Sequence, residues 1–171
     1  MKRLTTLALI PLLFVGAELP WTDAVGQQTT LNKQQLVGTW TFVSAVNTRP
    51  DGTKFDPWGG KGVGQQMFDG TGHFSFQVFR SDIPKLASNN RLDGTSEEFK
   101  AVAQGVLSSF GTYSLDDTGK TLTQHNEYSS FPNFSSGKRV WAITLTGDEM
   151  TLGSQAGAAG GTNELKWMRA K

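Results

Sequence analysis

The chain has 171 residues, a formal net charge of +1, eleven Phe, five Trp, twenty Gly and no cysteine. Interspersed acids and bases exclude electrostatic capture of nucleic acid or of an anionic membrane surface, and the lack of thiols excludes disulfides, a cysteine lipid anchor and thiolate chemistry. An aromatic-rich, glycine-rich chain of this size fits one all-β domain with many turns.

The first segment carries Lys2 and Arg3, then an apolar stretch over residues 4–15 interrupted only by Thr5, Thr6 and Pro11. It is shorter than the about 20 apolar residues a membrane span needs, and a basic start, a short apolar run and small residues beyond it define a secretion signal. The expected signal is residues 1–26, cut after Gly26, with Ala17 as the alternative site. Residues 27–35 are then an extension and residues 36–171 a single barrel domain, periplasmic or secreted, with no membrane insertion once the signal is removed.

Residues 36–46 place Trp40, Phe42 and Val46 on one face at a period of two, the pattern of a half-buried strand. Pro50-Asp51-Gly52 is a turn, and residues 55–60 read as loop. Residues 62–68 and 73–80 flank Asp69-Gly70-Thr71-Gly72 as a hairpin. Setting Phe68 opposite His73 puts Met67 opposite Phe74, Gln65 opposite Phe76 and Val63 opposite Val78 on the inward face, and turns His73, Ser75 and Gln77 outward. Over residues 95–109 the period changes: Phe99, Val102, Ala103, Val106 and Phe110 recur at helical spacing behind a Thr95/Glu98 capping box. One helix is expected there, covering part of the barrel mouth. Strands resume at residues 110–115, 120–129, 138–146, 150–153 and 163–169, separated by turns at residues 116–119 and at Gly147-Asp148 and by a loop at 155–162. The count is eight short strands with one helix inserted after the third.

The two ends of the domain read as partners. A strand that begins Gly38-Thr39-Trp40 buries its indole at a barrel floor, and Arg169, from the closing Trp167-Met168-Arg169, lies over that ring as a cation on a π face.

Residues 138–146 direct Arg139, Trp141, Ile143 and Leu145 inward, with Arg139 nearest the mouth. If residues 130–136 close a simple hairpin, Glu127 faces Arg139, His125 faces Trp141 and Thr123 lies beside Ile143. That is a polar corner in an apolar cup, the usual make-up of a small-molecule site. The expected ligand-binding residues are His125, Glu127, Arg139, Trp141, Tyr113, Phe76, Phe74, Gln65 and Phe42. The alternative is an ordinary rim ion pair between Glu127 and Arg139, with His125 satisfied by a hydroxyl. A histidine held by a carboxylate can shuttle a proton, so His125 and Glu127 are the candidates for acid and base chemistry. No Gly-x-Ser-x-Gly is present, Gly62-x-Gly64 starts a strand without opening a helix, and no zinc-ligand spacing occurs. Neither a metal nor a cofactor is expected.

Taken in order, Leu36-Val37-Gly38-Thr39-Trp40, the Asp69-Gly70 turn, Gly111-Thr112-Tyr113-Ser114, His125 followed by Phe131-Pro132-Asn133-Phe134, Arg139, Leu145-x-Gly147-Asp148-x-Met150-Thr151-Leu152 and Leu165-x-Trp167-x-Arg169 resemble the lipocalin-like domain family of bacteria and fungi. The resemblance runs over residues 36–169. It implies an eight-stranded antiparallel up-and-down barrel that binds a small molecule, and a few relatives act as cyclases or isomerases of secondary metabolism. The family pattern often shows two adjacent histidines, where this chain has His125-Asn126. The resulting expectation is an exported protein that holds a small hydrophobic molecule in its cavity. The alternatives are an isomerase or cyclase using His125 and Glu127, and a non-catalytic protein-interaction barrel.

Overall fold

The structure, a computed structural model, describes residues 30–171. The expected signal over residues 1–26 lies outside the described residues.

Alternation of apolar and polar side chains produces the strands β1 (Gly38–Thr48), β2 (Lys54–Phe55), β3 (Gly62–Phe68), β4 (His73–Arg80), β5 (Val106–Leu115), β6 (Thr121–Ser129), β7 (Lys138–Thr146), β8 (Glu149–Ser154) and β9 (Thr162–Arg169). Neighbours pair antiparallel in the order β1-β3-β4-β5-β6-β7-β8-β9, and β9 pairs back onto β1 from Trp40↔Arg169 to Thr48↔Thr162. Eight strands therefore close into a barrel with no free edge. The short β2, expected as turn and loop, is an extra strand paired with Asn47 and Thr48.

Two helices accompany the barrel. Helix α1 (Lys33–Leu36) is opened by an Asn32/Gln35 capping box and buries Leu36. Helix α2 (Ser96–Gly105) is opened by the expected Thr95/Glu98 box. It lies between β4 and β5, after the fourth strand in chain order rather than the third, because β2 adds one to the count. It also ends four residues before the expected boundary at 109: Val106 to Ser109 pair with β4, since extending that ladder satisfies backbone groups an exposed helical turn would leave to water.

Three local events decide which face looks inward. A bulge between Phe42 and Ser44 changes the parity of β1, so Trp40 and Phe42 are followed inward by Ala45 and Asn47, while Val46 is exposed. In the β3–β4 hairpin Phe68 pairs with Phe74 and Gln66 with Phe76, one residue away from the expected register. The turn sets this slip. Asp69 N–H donates to His73 O at 3.0 Å, the Asp69 carboxylate accepts from Gly72 N–H at 2.7 Å and His73 N–H at 2.8 Å, and Gly72 takes φ +104°, open only to glycine at low cost. Gln66 is thereby buried and Gln65 exposed.

The third event is the β6–β7 register: Gln124 pairs with Arg139, Leu122 with Trp141 and His125 with Lys138. This is three residues from the symmetric closure expected, an odd number, so every β6 side chain changes face. The one-turn 3-10 helix at Pro132–Phe134 takes up chain within the loop, and Asn126 anchors it by donating from Nδ2 to Phe134 O at 3.1 Å. The observed register buries Leu122 with Trp141 and Ile143; the expected one would have turned Leu122 to solvent.

The barrel has two unlike ends. At one lie the short turns over residues 69–72, 116–120 and 147–148; at the other, the longer connections 49–61, 81–105, 130–137 and 155–161 join the strands.

Candidate ligand site at the open end of the barrel

The closed end is sealed by the expected pair. Trp40 is fully buried, and its indole N–H donates to Leu36 O at 2.8 Å. The Arg169 guanidinium lies 4.2 Å from the centre of that ring and donates to Val37 O at 3.1 Å and Gln35 O at 2.7 Å. Gly38, at φ +129°, lets the chain pass beneath: a Cβ there would stand 3.3 Å from Arg169 Nη1. Tyr113, expected at the ligand, belongs to this end. Its hydroxyl donates to Asp69 O at 2.7 Å and its ring meets Phe68 edge-on at 4.8 Å. Phe74, opposite Phe68, is core on the same side.

The open end encloses a cavity of ≈ 430 Å³. Its walls come from β1 (Asn47), the β2–β3 connection (Pro57, Trp58), β4 (Phe76), α2 and the start of β5 (Ala103, Gln104, Val106, Leu107), the β6–β7 loop (Phe131), β7 (Arg139) and the β8–β9 loop with β9 (Ala158, Ala159, Asn163, Leu165). Local chemistry fixes the key pieces. Asp56 accepts from Trp58 N–H at 2.7 Å and Gly60 N–H at 3.1 Å, an Asx turn that drives Trp58 inward onto Phe42, ring centres 5.4 Å apart and edge-on. Phe42 meets Trp167 in the same geometry at 5.4 Å, and Phe76 meets Trp167 at 5.7 Å, so an aromatic cluster underlies the cavity. Helix α2 covers it with Ala103 and Gln104 but leaves its own Phe99 and Val102 39% and 36% exposed. This lid is therefore held by little apolar burial.

Arg139 is on the inward face at the mouth, as expected, directly above Trp141. Its guanidinium carbon lies 4.2 Å from the Trp141 ring centre and 4.4 Å from that of Phe134. Burial alone pushes its pKa down to about 10, which leaves it charged at neutral pH. Its hydrogen bond within the protein is a long one, from Nη2 to Ala156 O at 3.5 Å. Asn47 and Asn163, paired across β1 and β9, add polar groups to the wall.

The polar corner expected from His125 and Glu127 does not form. Both side chains are exposed on the outer wall, carried there by the β6–β7 register, and their inward places are taken by Gln124 and Asn126. Gln65 likewise points outward, with Gln66 inside. Of the nine expected ligand residues, Arg139 and Phe76 line the cavity, while Trp141 and Phe42 support it from below. Asn47, Trp58, Gln104 and Asn163 were missed. Asn47 is hidden by the bulge, Gln104 and Asn163 stand at the end of α2 and the start of β9, where periodicity says little about facing, and only the Asp56-Pro57-Trp58 turn offers a readable signal.

Among the described residues no three His, Asp or Glu side chains gather as a metal site, and no helix is long and apolar enough to cross a membrane. A family model described as a lipocalin-like domain matches residues 37–170. No curated protein matches the chain. Among solved structures the chain is similar to a lipocalin-like protein from Bacteroides uniformis, at 17% identity and TM-score 0.43, over 79% of this chain and 98% of that one. It is also similar to the REP1-NXSQ fatty acid transporter, at 12% identity and TM-score 0.39, over 81% and 98% of the two chains. A mutant of the fluorescent protein UnaG matches at 13% identity and TM-score 0.39, with the same coverage.

Proposed function

This chain belongs to the lipocalin-like domain family, and from that premise we propose that it binds one small, largely apolar molecule in the cavity at the open end of its barrel. The observation that carries the reading is the lining: Pro57, Trp58, Phe76, Leu107, Phe131 and Leu165 form an apolar wall, broken among the described residues by Asn47, Gln104, Arg139 and Asn163. Apolar walls with few polar groups, enclosing ~300–1,000 Å³, are the usual form of small-molecule sites. Among the described residues no histidine, carboxylate, lysine or hydroxyl side chain lines this cavity, so these supply no acid or base for a proton-transfer reaction there. Binding without turnover is the function this lining supports. The leader-like residues 1–26 support export, and N-terminal sequencing of the protein recovered outside the cytoplasm would test it.

The decisive experiment pairs native mass spectrometry of protein purified from its source with a thermal-shift screen of apolar molecules. A co-purifying mass, or a ligand that raises the melting temperature of the wild type but not of a cavity-filling Leu107→Trp variant, is the expected result. A ligand that stabilises both proteins equally would place binding elsewhere.

One observation favours a second reading, the interaction barrel. Met67, Phe110 and Tyr128 lie in line across the outer wall, the last two 48% and 69% exposed with ring centres 6.0 Å apart. Self-association abolished by Phe110→Ser, with cavity binding intact, would establish it.

A further inference from the structure

We propose that the molecule held in this cavity carries an oxyanion, a carboxylate on an apolar body, and that Arg139, the one charged residue of the lining among the described residues, receives it; the proposal rests on the binding reading above and names the chemical class of its ligand. The geometry begins with a cation whose faces are closed. Phe134 at 4.4 Å and Trp141 at 4.2 Å cover the guanidinium, so it can bond only through its in-plane N–H edge. Along that edge Nη2 reaches Ala156 O at 3.5 Å, and Nε, shielded from solvent, has no acceptor. No carboxylate among the described residues stands within ion-pair distance of Arg139, in contrast to Arg80 and Asp82 at 2.9 Å or Arg169 and Asp148 at 3.6 Å. None lines the cavity either.

Gln124, the cross-strand neighbour of Arg139, gives it no acceptor. It pairs with Arg139 across β6 and β7 and is buried. Trp141 Nε1 donates to Gln124 Oε1 at 2.7 Å. An indole N–H can only donate, so the oxygen end of this amide must face the tryptophan, and the free end is the nitrogen. Gln124 Nε2 has no acceptor. Two shielded donors on adjacent strands therefore lack an acceptor, and one of them is charged. Asn126 Oδ1, Asn163 Oδ1, both amide atoms of Gln66 and Trp167 Nε1 are unpartnered as well, but they are neutral and do not alter the sign of the site. A shielded cation without a counter-ion is costly, and a buried anionic group is the partner that lowers that cost. The apolar remainder of the ligand then lies against Trp58, Phe76 and Leu107.

The test is isothermal titration of the full-length mature protein with decanoate, decanol and decylamine. Decanoate is expected to bind roughly 10- to 100-fold more tightly than decanol, as charge-assisted hydrogen bonds dictate, with decylamine weakest. In Arg139→Met the advantage of the acid over the alcohol should be lost. Arg139→Lys should retain part of the preference. If Arg139→Met fails to fold, the wild-type series and the lysine variant decide alone. Decanol equal to decanoate in the wild type, or a preference that survives Arg139→Met, overturns the oxyanion assignment and leaves the binding reading standing. Failure of all three probes to bind removes both.

Discussion

Two arginines lie 4.2 Å above two buried tryptophans at opposite ends of the same barrel, yet their surroundings differ. Arg169, over Trp40, gives its N–H groups to Val37 O and Gln35 O and has Asp148 at 3.6 Å. Arg139, over Trp141, has one bond at 3.5 Å, an Nε with no acceptor and no carboxylate in reach. Stacking a cation on an indole is the same interaction in both places. What separates a latch from a receptor is whether the in-plane donors are consumed by the protein. At the floor they tie α1 to the closing strand; at the mouth, beside the cavity, Nε goes without an acceptor.

The comparison can be broken hardest at the floor. Trp40→Ala should lower stability by about 3–5 kcal/mol, the usual loss for a large buried aromatic, measured by urea unfolding; a loss below ~1 kcal/mol would show that the floor is no keystone. Next, Arg169→Met should lower it by about 2 kcal/mol, because two main-chain carbonyls lose charged donors. Arg139→Met should act in the opposite direction, leaving the unliganded protein unchanged or up to ~1 kcal/mol more stable, since it removes a shielded, unpaired charge. Equal destabilisation by the two methionine variants would erase the distinction between latch and receptor.

The smallest effect concerns the Asp69 turn at the floor. The His73 N–H foremost, with the Thr71 hydroxyl and the Gly72 N–H, holds the Asp69 carboxyl down to about 2 from its ordinary 3.8. A lowered folded-state pKa stabilises the fold above the unfolded value and is lost as pH falls. Wild type should therefore exceed Asp69→Ala in melting temperature above pH 3.8, and the gap should narrow as the pH drops toward 2. A pH-independent gap would assign the turn's benefit to geometry alone.

Much of the fold was legible. Gly38-Thr39-Trp40 and Arg169 announced the floor, the Thr95/Glu98 box announced α2, and the turns at Asp69-Gly70 and Gly147-Asp148 stand where expected. The site was legible in part: Arg139 and Phe76 line the cavity, whereas His125, Glu127 and Gln65 face solvent. The errors share a cause. In a strand, inward and outward differ by a single residue of register. The β6–β7 loop, the Asp69 turn and the bulge after Phe42 each moved a strand by an odd step.

By itself, then, the sequence determined the all-β class, the turns, the capped helix and the paired ends, because these depend on composition, local periodicity and the side-chain chemistry of a few adjacent residues. Tertiary structure alone decided which polar residues enter the barrel. That choice follows from burying Leu122 beside Trp141 and from seating the 3-10 turn at Pro132–Phe134 on Asn126, contacts between segments whose spacing along the chain does not fix their pairing. The same closure brought Asn47, Trp58 and Asn163, far apart in sequence, around the cavity that Arg139 overlooks.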